Sequence, residues 1–206
     1  MENPFTLTHF PSVVTVARLG QMVTGPSANP RRKTPRPIDS PRLEELALAY
    51  VARFATSRAK LESYLRRKLR EHGWDGVDEP PVGAIADRFE AAGYIDDAAY
   101  SRARSGSLLR RGYGDRRVAQ ALVAAGIAGD VRDGLEIAPV ELRRAALTMA
   151  RKRRFGPFGA GPPDRAVREK QLAAMLRAGH RLALARAVLG AASVEDAERW
   201  AETENE

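Results

Sequence analysis

The sequence predicts an all-α protein, and three observations lead there. The 206-residue chain is rich in alanine and leucine while aromatic residues make up only 6%, a composition that favours helix over sheet. No stretch shows sustained period-two alternation with β-branched residues. Apolar residues recur instead at three- and four-residue spacing, in runs closed by glycine, which is the pattern of amphipathic helices with left-handed stops.

Taken in order, residues 1–41 read as a disordered leader. Pro4, Pro11, Pro26, Pro30, Pro35, Pro37 and Pro41 break local structure repeatedly, and Arg31-Arg32-Lys33 adds repulsion. Residues 42–95 make a first helical repeat. Leu43, Leu46, Tyr50 and Phe54 share a face of a helix ending near Ala55. Ser57 caps a second helix with Leu61, Leu65 and Leu69 on one stripe and Gly73 as its stop. A third follows Pro80-Pro81, with Val82, Ile85, Ala86 and Phe89 inward, Gly93 as stop, and Tyr94 and Ile95 placed to pack back on the last turn.

Residues 96–138 form a second repeat. Asp96-Asp97 starts a long helix carrying Tyr100 and Ala103 and stopped by Gly112. Gly114 gives the corner a second permissive position, and Asp115 is expected to cap the next helix, whose face is Val118, Ala121, Leu122 and Ala125. Residues 139–190 form a third repeat. Its first helix, from about Pro139, carries Leu142, Ala145, Ala146 and Met149 and runs into Arg151-Lys152-Arg153-Arg154 and a Phe-, Gly- and Pro-rich breaker. Asp164 starts the following helix with Leu172, Met175 and Leu176 inward, and Leu184, Ala187 and Val188 make a last packing face. Residues 191–206 read as an acidic tail in which Ser193 caps a short helix ending near Trp200.

The repeat reading has its own signal. Gly73, Gly126 and Gly179 succeed one another at 53 residues, and an apolar anchor (Leu69, Leu122, Met175) lies four residues before each. Units of about three helices bury little alone, so tandem units are expected to stack through shared apolar faces into an elongated, curved array.

Composition excludes several chemistries. With no cysteine there is no disulfide, thiolate nucleophile or Cys-based zinc site. His9, His72 and His180 are far apart and lack the i, i+4 spacing of a helical metal pair. Gly156 to Gly161 is followed by Pro162-Pro163 where a phosphate-binding loop needs Lys and Ser or Thr, and no strand precedes Gly112-x-Gly114. Asp96 and Asp97 diverge as neighbours on a helix start, so capping accounts for them. No catalytic constellation emerges, and neither enzyme activity nor a cofactor or metal is expected. No run approaches ~18 consecutive apolar residues, and Arg18 interrupts the apolar stretch Pro11 to Leu19. A soluble cytoplasmic monomer is expected.

The net charge of +8 is unevenly placed: residues 131–190 hold thirteen Lys and Arg against five Asp and Glu, while 191–206 hold one against six. Such asymmetry points to an anionic partner. Two clusters stand out. Arg110, Arg111, Arg116 and Arg117 flank Tyr113 at a corner that needs only its glycines and Asp115 for structure. Arg151, Lys152, Arg153 and Arg154 form a basic run, beside which Phe155 and Phe158 are expected to anchor the loop. Arg66-Arg67-Lys68, between Leu65 and Leu69, reads as an ordinary polar face.

These residues also carry a resemblance. Ser57-Arg-Ala-Lys-Leu-(x3)-Leu-Arg-Arg-Lys-Leu resembles the first-repeat motif of the RecX regulatory proteins. Gly93-Tyr-Ile-Asp-Asp-Ala-Ala-Tyr-Ser-Arg-Ala and Arg110-Arg-Gly-Tyr-Gly-Asp-Arg-Arg-Val-(x3)-Leu-(x3)-Gly-Ile are similar to that family's central signature. The likeness covers about residues 43–190. It implies tandem three-helix repeats and a non-enzymatic protein that binds RecA filaments on single-stranded DNA, lodging in the groove between protomers. It further implies restraint of filament growth, ATP hydrolysis and strand exchange, with the enclosed DNA as a further contact. Carried onto this chain, the contact residues are Arg110, Arg111, Tyr113, Arg116, Arg117, Arg151, Lys152, Arg153 and Arg154, and the acidic tail is expected to adjust affinity. The chain departs from the family pattern at Lys60, where Glu is common, at Asp115, where Pro is common, at Ala124-Ala125, which replace a basic residue, and at His180, where an aromatic is usual. The alternative is a helix-turn-helix built on the Gly112 corner that binds duplex DNA directly, although Val118, Ala121 and Leu122 offer no base-reading groups. A bare helical scaffold with incidental charge is a third reading.

Overall fold

The computed structural model describes residues 36–161 and 164–203, so residues 1–35 of the expected leader lie outside the described residues. Helices are α1 (Ser40–Arg53), α2 (Arg58–His72), α3 (Val82–Ala91), α4 (Asp97–Arg110), α5 (Asp115–Ala124), α6 (Gly129–Asp133), α7 (Pro139–Arg153), α8 (Arg165–Arg177), α9 (Leu182–Leu189) and α10 (Val194–Glu202), with a 3₁₀ turn at Gly156–Phe158. The described residues include no strand, only an isolated parallel bridge between Ile38 and Trp74. The protein is all-α.

Local chemistry starts most of the long helices. Asp39, Ser57, Asp96, Asp164 and Ser193 accept the backbone N–H of Arg42, Lys60, Ala99, Val167 and Asp196, satisfying donors that the first turn leaves free. The first helix stops at Arg53 rather than Ala55, because the chain turns extended at Phe54 before Ser57 caps α2.

Buried apolar side chains fall into three clusters. Leu43, Leu61, Leu65 and Ile85 centre the first; Leu108, Val118, Leu122 and Ile127 the second; Met175, Ala185, Val188 and Ala197 the third. Helix α7 serves two of them, turning Leu142 and Ala145 to the second and Ala146, Met149 and Ala150 to the third. Leu184 likewise leans from α9 onto the second.

Three expectations need correction. Ile38, inside the expected leader, is 3% exposed and belongs to the first cluster, tied to Gly73 and Asp75 by two backbone bonds of 3.0 and 2.9 Å. The helix expected in the acidic 191–206 segment forms as α10, capped by Ser193 and running to Glu202, and its Ala197 and Ala201 are fully buried in the third cluster. Leu176 is 36% exposed, one position past the inward face set by Met175. On α9 the inward residues are Ala185, Val188 and Leu189, which leaves Ala187 on the opposite side.

The glycines of the 53-residue series do more than stop helices. Gly73, Gly126 and Gly179 all have positive φ, at 86°, 70° and 93°. Gly126, just past α5, abuts the start of α2: a Cβ there would stand 2.3 Å from the Ala59 Cβ, and the Ser57 hydroxyl donates to Ala125 O at 2.6 Å. Gly179, just past α8, abuts the start of α5: a Cβ there would stand 2.4 Å from Arg117 N. Gly73 faces open space at its Cβ position, and Ile38 bridges to Trp74 beside it instead.

Candidate interaction surface

The Gly112 corner is built by an interlock. Helix α4 ends at Arg110; Gly112 follows at φ 90° and packs on α7, where an added Cβ would meet Met149 N at 3.0 Å. The N-cap of α5 is Gly114, not Asp115 as expected. The reason is tertiary. Gly114 N–H donates to Ala178 O at 3.0 Å and Arg116 N–H to Gly179 O at 3.2 Å, so backbone carbonyls of the α8–α9 corner supply the acceptors a capping side chain would have offered. A Cβ on Gly114 would stand 2.3 Å from Gly179 O, which leaves that position to glycine. Asp115 sits one residue inside the helix, where its charge suits the positive helix end, and accepts from Arg181 Nε at 2.6 Å.

His180 closes the interlock from the other side. It is 1% exposed, and its Nε2 stands 3.0 Å from Gly112 O. Since a carbonyl only accepts, Nε2 carries the proton and donates. Burial pushes the imidazole below its ordinary pKa, against the opposing pull of Gly112 O and Asp115.

The four corner arginines Arg110, Arg111, Arg116 and Arg117 are exposed, and none forms an ion pair among the described residues. Arg111 lies with its guanidinium 5.4 Å from the Tyr113 ring centroid, and Tyr113 is half-buried against the second cluster. The basic run is brought next to this corner: Lys152 Nζ donates to Arg111 O at 3.3 Å. Its members are not equivalent. Arg151 pairs with Glu198 of α10 and sits over the Phe158 ring at 5.5 Å. Arg153 is exposed without an ion pair among the described residues. Arg154 is the C-cap of α7 with φ 55°, the one non-glycine positive φ among the described residues. Phe155 and Phe158 pack against the third cluster, so they anchor the loop as expected.

Helix α10 lies over α7 and neutralises part of it. Glu202 takes Arg144 through bonds of 2.9 and 3.0 Å to Nε, and the buried Arg143 donates to Thr203 O. The Arg66-Arg67-Lys68 stretch is an ion-paired polar face as expected, bound to Glu62 and Glu71. The residues that sequence reasoning missed are Lys60, Arg104 and Gln120, which line a groove with Arg111, Tyr113 and Arg117. They come from three helices, so no linear motif could gather them. No group of His, Asp and Glu among the described residues could hold a metal ion. No described helix is long and apolar enough to cross a membrane.

The fold and this surface define an all-helical protein whose distinguishing feature is a cationic patch held on a rigid joint. Comparison with known proteins says which kind. The regulatory protein RecX of Myxococcus xanthus (strain DK1622) is 31% identical over 176 residues, covering 80% of this chain and 94% of that protein. The regulatory protein RecX of Thermus thermophilus (strain ATCC 27634) is 34% identical over 108 residues, 52% of this chain and 71% of that one. The counterpart in Mycobacterium sp. (strain JLS) is 33% identical over 112 residues, 53% of this chain and 59% of its own. No protein-family model matches. The chain belongs to the RecX family of regulatory proteins.

Proposed function

We propose that this chain is a non-enzymatic cytoplasmic regulator that binds the RecA filament as a monomer and restrains its growth, ATP hydrolysis and strand exchange. The observation that carries the reading is the interlocked corner. Four exposed arginines flank a corner whose Gly114 and Arg116 N–H groups bond to Ala178 O and Gly179 O, and no carboxylate among the described residues pairs with them. Stability has no use for such a cluster of like charge, whereas an anionic partner surface does. Arg110, Arg111, Tyr113, Arg116 and Arg117 make the primary contact, and Lys152, Arg153 and Arg154 extend it. Arg151 contributes less, being committed to Glu198. Charge at these positions sets association rate and orientation.

The helix-turn-helix reading is disfavoured, because the first turn of α5 would have to enter a DNA groove while its backbone is engaged by Ala178 and Gly179. The test is RecA ATPase on single-stranded DNA titrated with the full chain. Inhibition at stoichiometric ratios is expected, with loss of potency when Arg110, Arg111, Arg116 and Arg117 are replaced by alanine. An unchanged ATPase in the presence of the folded protein overturns the reading.

A further inference from the structure

Helices α8 and α9 meet the rest of the fold at the Gly179 corner, and a cavity of about 450 Å³ lies at the opposite end of the pair. Helix α8 is 13 residues long, so its two ends are roughly 20 Å apart. The cavity has an apolar floor of Leu172 from α8 and Leu189 from α9, and its rim carries Arg165, Arg168 and Arg186, with Glu169 as the one carboxylate lining it. A second cavity of about 380 Å³ shares Arg168, Leu189 and Gly190 with the first and continues along Gly156, Gly159 and Gly161. The shared residues join the two into one cleft.

The helices themselves do not account for the charge on this rim. Arg165 is paired with Glu169 at 3.1 Å, whereas Arg168 and Arg186 are exposed and form no ion pair among the described residues. The first turn of α8 contains no acidic residue, and Arg165 and Arg168 stand there against the positive end of the helix dipole. On the neighbouring face of the same repeat, Arg144 and Arg151 are each matched by a glutamate of α10. Two guanidinium groups are thus left open at the edge of an apolar hollow, one of them in a place that helix stability disfavours.

The lining selects among anionic partners. No aromatic ring lines either cavity, so a base has nothing to stack on, and Glu169 on the rim opposes a run of phosphates. A bilayer surface is met by protruding apolar side chains, and here Leu172 and Leu189 are recessed. A peptide with carboxylates on both sides of an aliphatic side chain uses every part of the cleft. The aliphatic group enters between Leu172 and Leu189, and the carboxylates take the planar guanidinium forks of Arg168 and Arg186. Gly161 has nothing within 4 Å of its Cβ position, so a second backbone can come close along the glycine stretch. We propose that this cleft docks an acidic peptide segment of a partner protein, with one large aliphatic residue between its carboxylates. The contact is separate from the cationic corner and shares no residue with it.

The test is titration of the isotope-labelled full chain with the capped peptide Asp-Glu-Leu-Glu-Asp, followed through backbone amide NMR shifts. Saturable movement is expected at Arg168, Leu172, Leu189 and Gly190, and affinity is read from those amides, apart from any contact of the peptide with the corner. Replacing the leucine of the peptide by serine should weaken binding there by about tenfold or more, as loss of a buried aliphatic group requires. Arg168→Gln combined with Arg186→Gln should weaken it by about tenfold. Both positions are exposed and unpaired, so the melting temperature of that variant should match the parent. Shifts confined to residues 110–117 overturn the proposal. Equal affinity for the serine peptide, or parental affinity in the doubly substituted chain, does so as well. Tighter binding of decanoate or of an oligothymidylate at the same amides would assign the cleft to a different ligand and overturn it too.

Discussion

Replacing Gly179 by alanine tests whether the glycine corners lock neighbouring helices together or merely end them. Gly73 is the natural control, because its φ of 86° matches the 93° of Gly179. An L-residue costs about 1–2 kcal/mol in the left-handed region at Gly179, and about 1–3 kcal/mol at Gly73, whose ψ of 166° places it in a region almost confined to glycine. The surroundings differ. A Cβ at Gly73 meets nothing within 4 Å, whereas one at Gly179 would stand 2.4 Å from Arg117 N and 3.1 Å from its Cα. Those are backbone atoms of a helix start and cannot rotate aside. The corner must therefore retreat from α5, stretching the Gly114 N–H to Ala178 O and Arg116 N–H to Gly179 O bonds of 3.0 and 3.2 Å. Forced overpacking and weakened bonds add about 2–3 kcal/mol. The expectation is a loss of about 1–3 kcal/mol for Gly73→Ala and about 3–5 kcal/mol for Gly179→Ala. For a chain of this size a difference of about 2 kcal/mol separates the melting temperatures by roughly 4–8 °C. Thermal and urea unfolding followed by circular dichroism measure it. Equal losses for the two variants would refute the interlock.

Three further outcomes follow from the same geometry. His180 is held neutral by burial, so its folded pKa lies below the unfolded value of about 6.5; its contribution is complete above that pH and is lost as pH falls below it, with a limiting slope of about 1.4 kcal/mol per pH unit. Melting temperature measured from pH 7 to pH 5 should therefore fall more steeply in the parent than in His180→Phe, and parallel profiles would contradict this. Arg154→Gly relieves a left-handed non-glycine residue and should raise stability by about 1 kcal/mol in urea titrations; a loss would mean that the arginine side chain holds the turn. Ala197→Leu inserts bulk into a fully buried site on α10 and should cost about 1–3 kcal/mol, whereas a loose tail would accept it without change in the melting curve.

What the sequence makes legible here is what local chemistry decides. Ser57, Asp96, Asp164 and Ser193 cap helices because a short polar side chain can reach its own first turn, and no distant contact is needed. The 53-residue glycine series marks true stops for the same reason. Asp115 shows the limit. It has the residue type of a cap, yet the carbonyls of Ala178 and Gly179, more than sixty positions away, take that role and move the cap to Gly114. Ile38 is invisible for the opposite reason: a single apolar residue between Pro37 and Asp39 has no period to betray its burial. The acidic end reads as a tail because charge dominates its composition, although Ala197 and Ala201 at i, i+4 already mark a packing face. The cationic groove beside the Gly112 corner is the least legible part, since Lys60, Arg104 and Gln120 converge only after three helices pack. Lys60 offers the one hint, as a basic residue where a capping partner is usual.

The interlock makes stability and surface charge two readings of one joint. Arg116 donates its backbone N–H to Gly179 O, and Arg117 N is what a side chain at Gly179 would strike. The backbone of two surface cations is thus part of the contact that seats α8 against α5. Lys152 reaches the same corner from α7 through Arg111 O, so a third helix is fixed to it. A partner that binds Arg111, Arg116 and Arg117 therefore binds groups whose backbone is already ordered and gives up little entropy in fixing them. Disturbing the joint should loosen that order before it removes any charge. Gly179→Ala is accordingly expected to weaken anion binding although it deletes no cation, while Gly73→Ala, at a corner with no arginine built into it, should leave binding intact. Equal binding by both, with Gly179→Ala demonstrably less stable, would separate the joint from the surface and sink the connection.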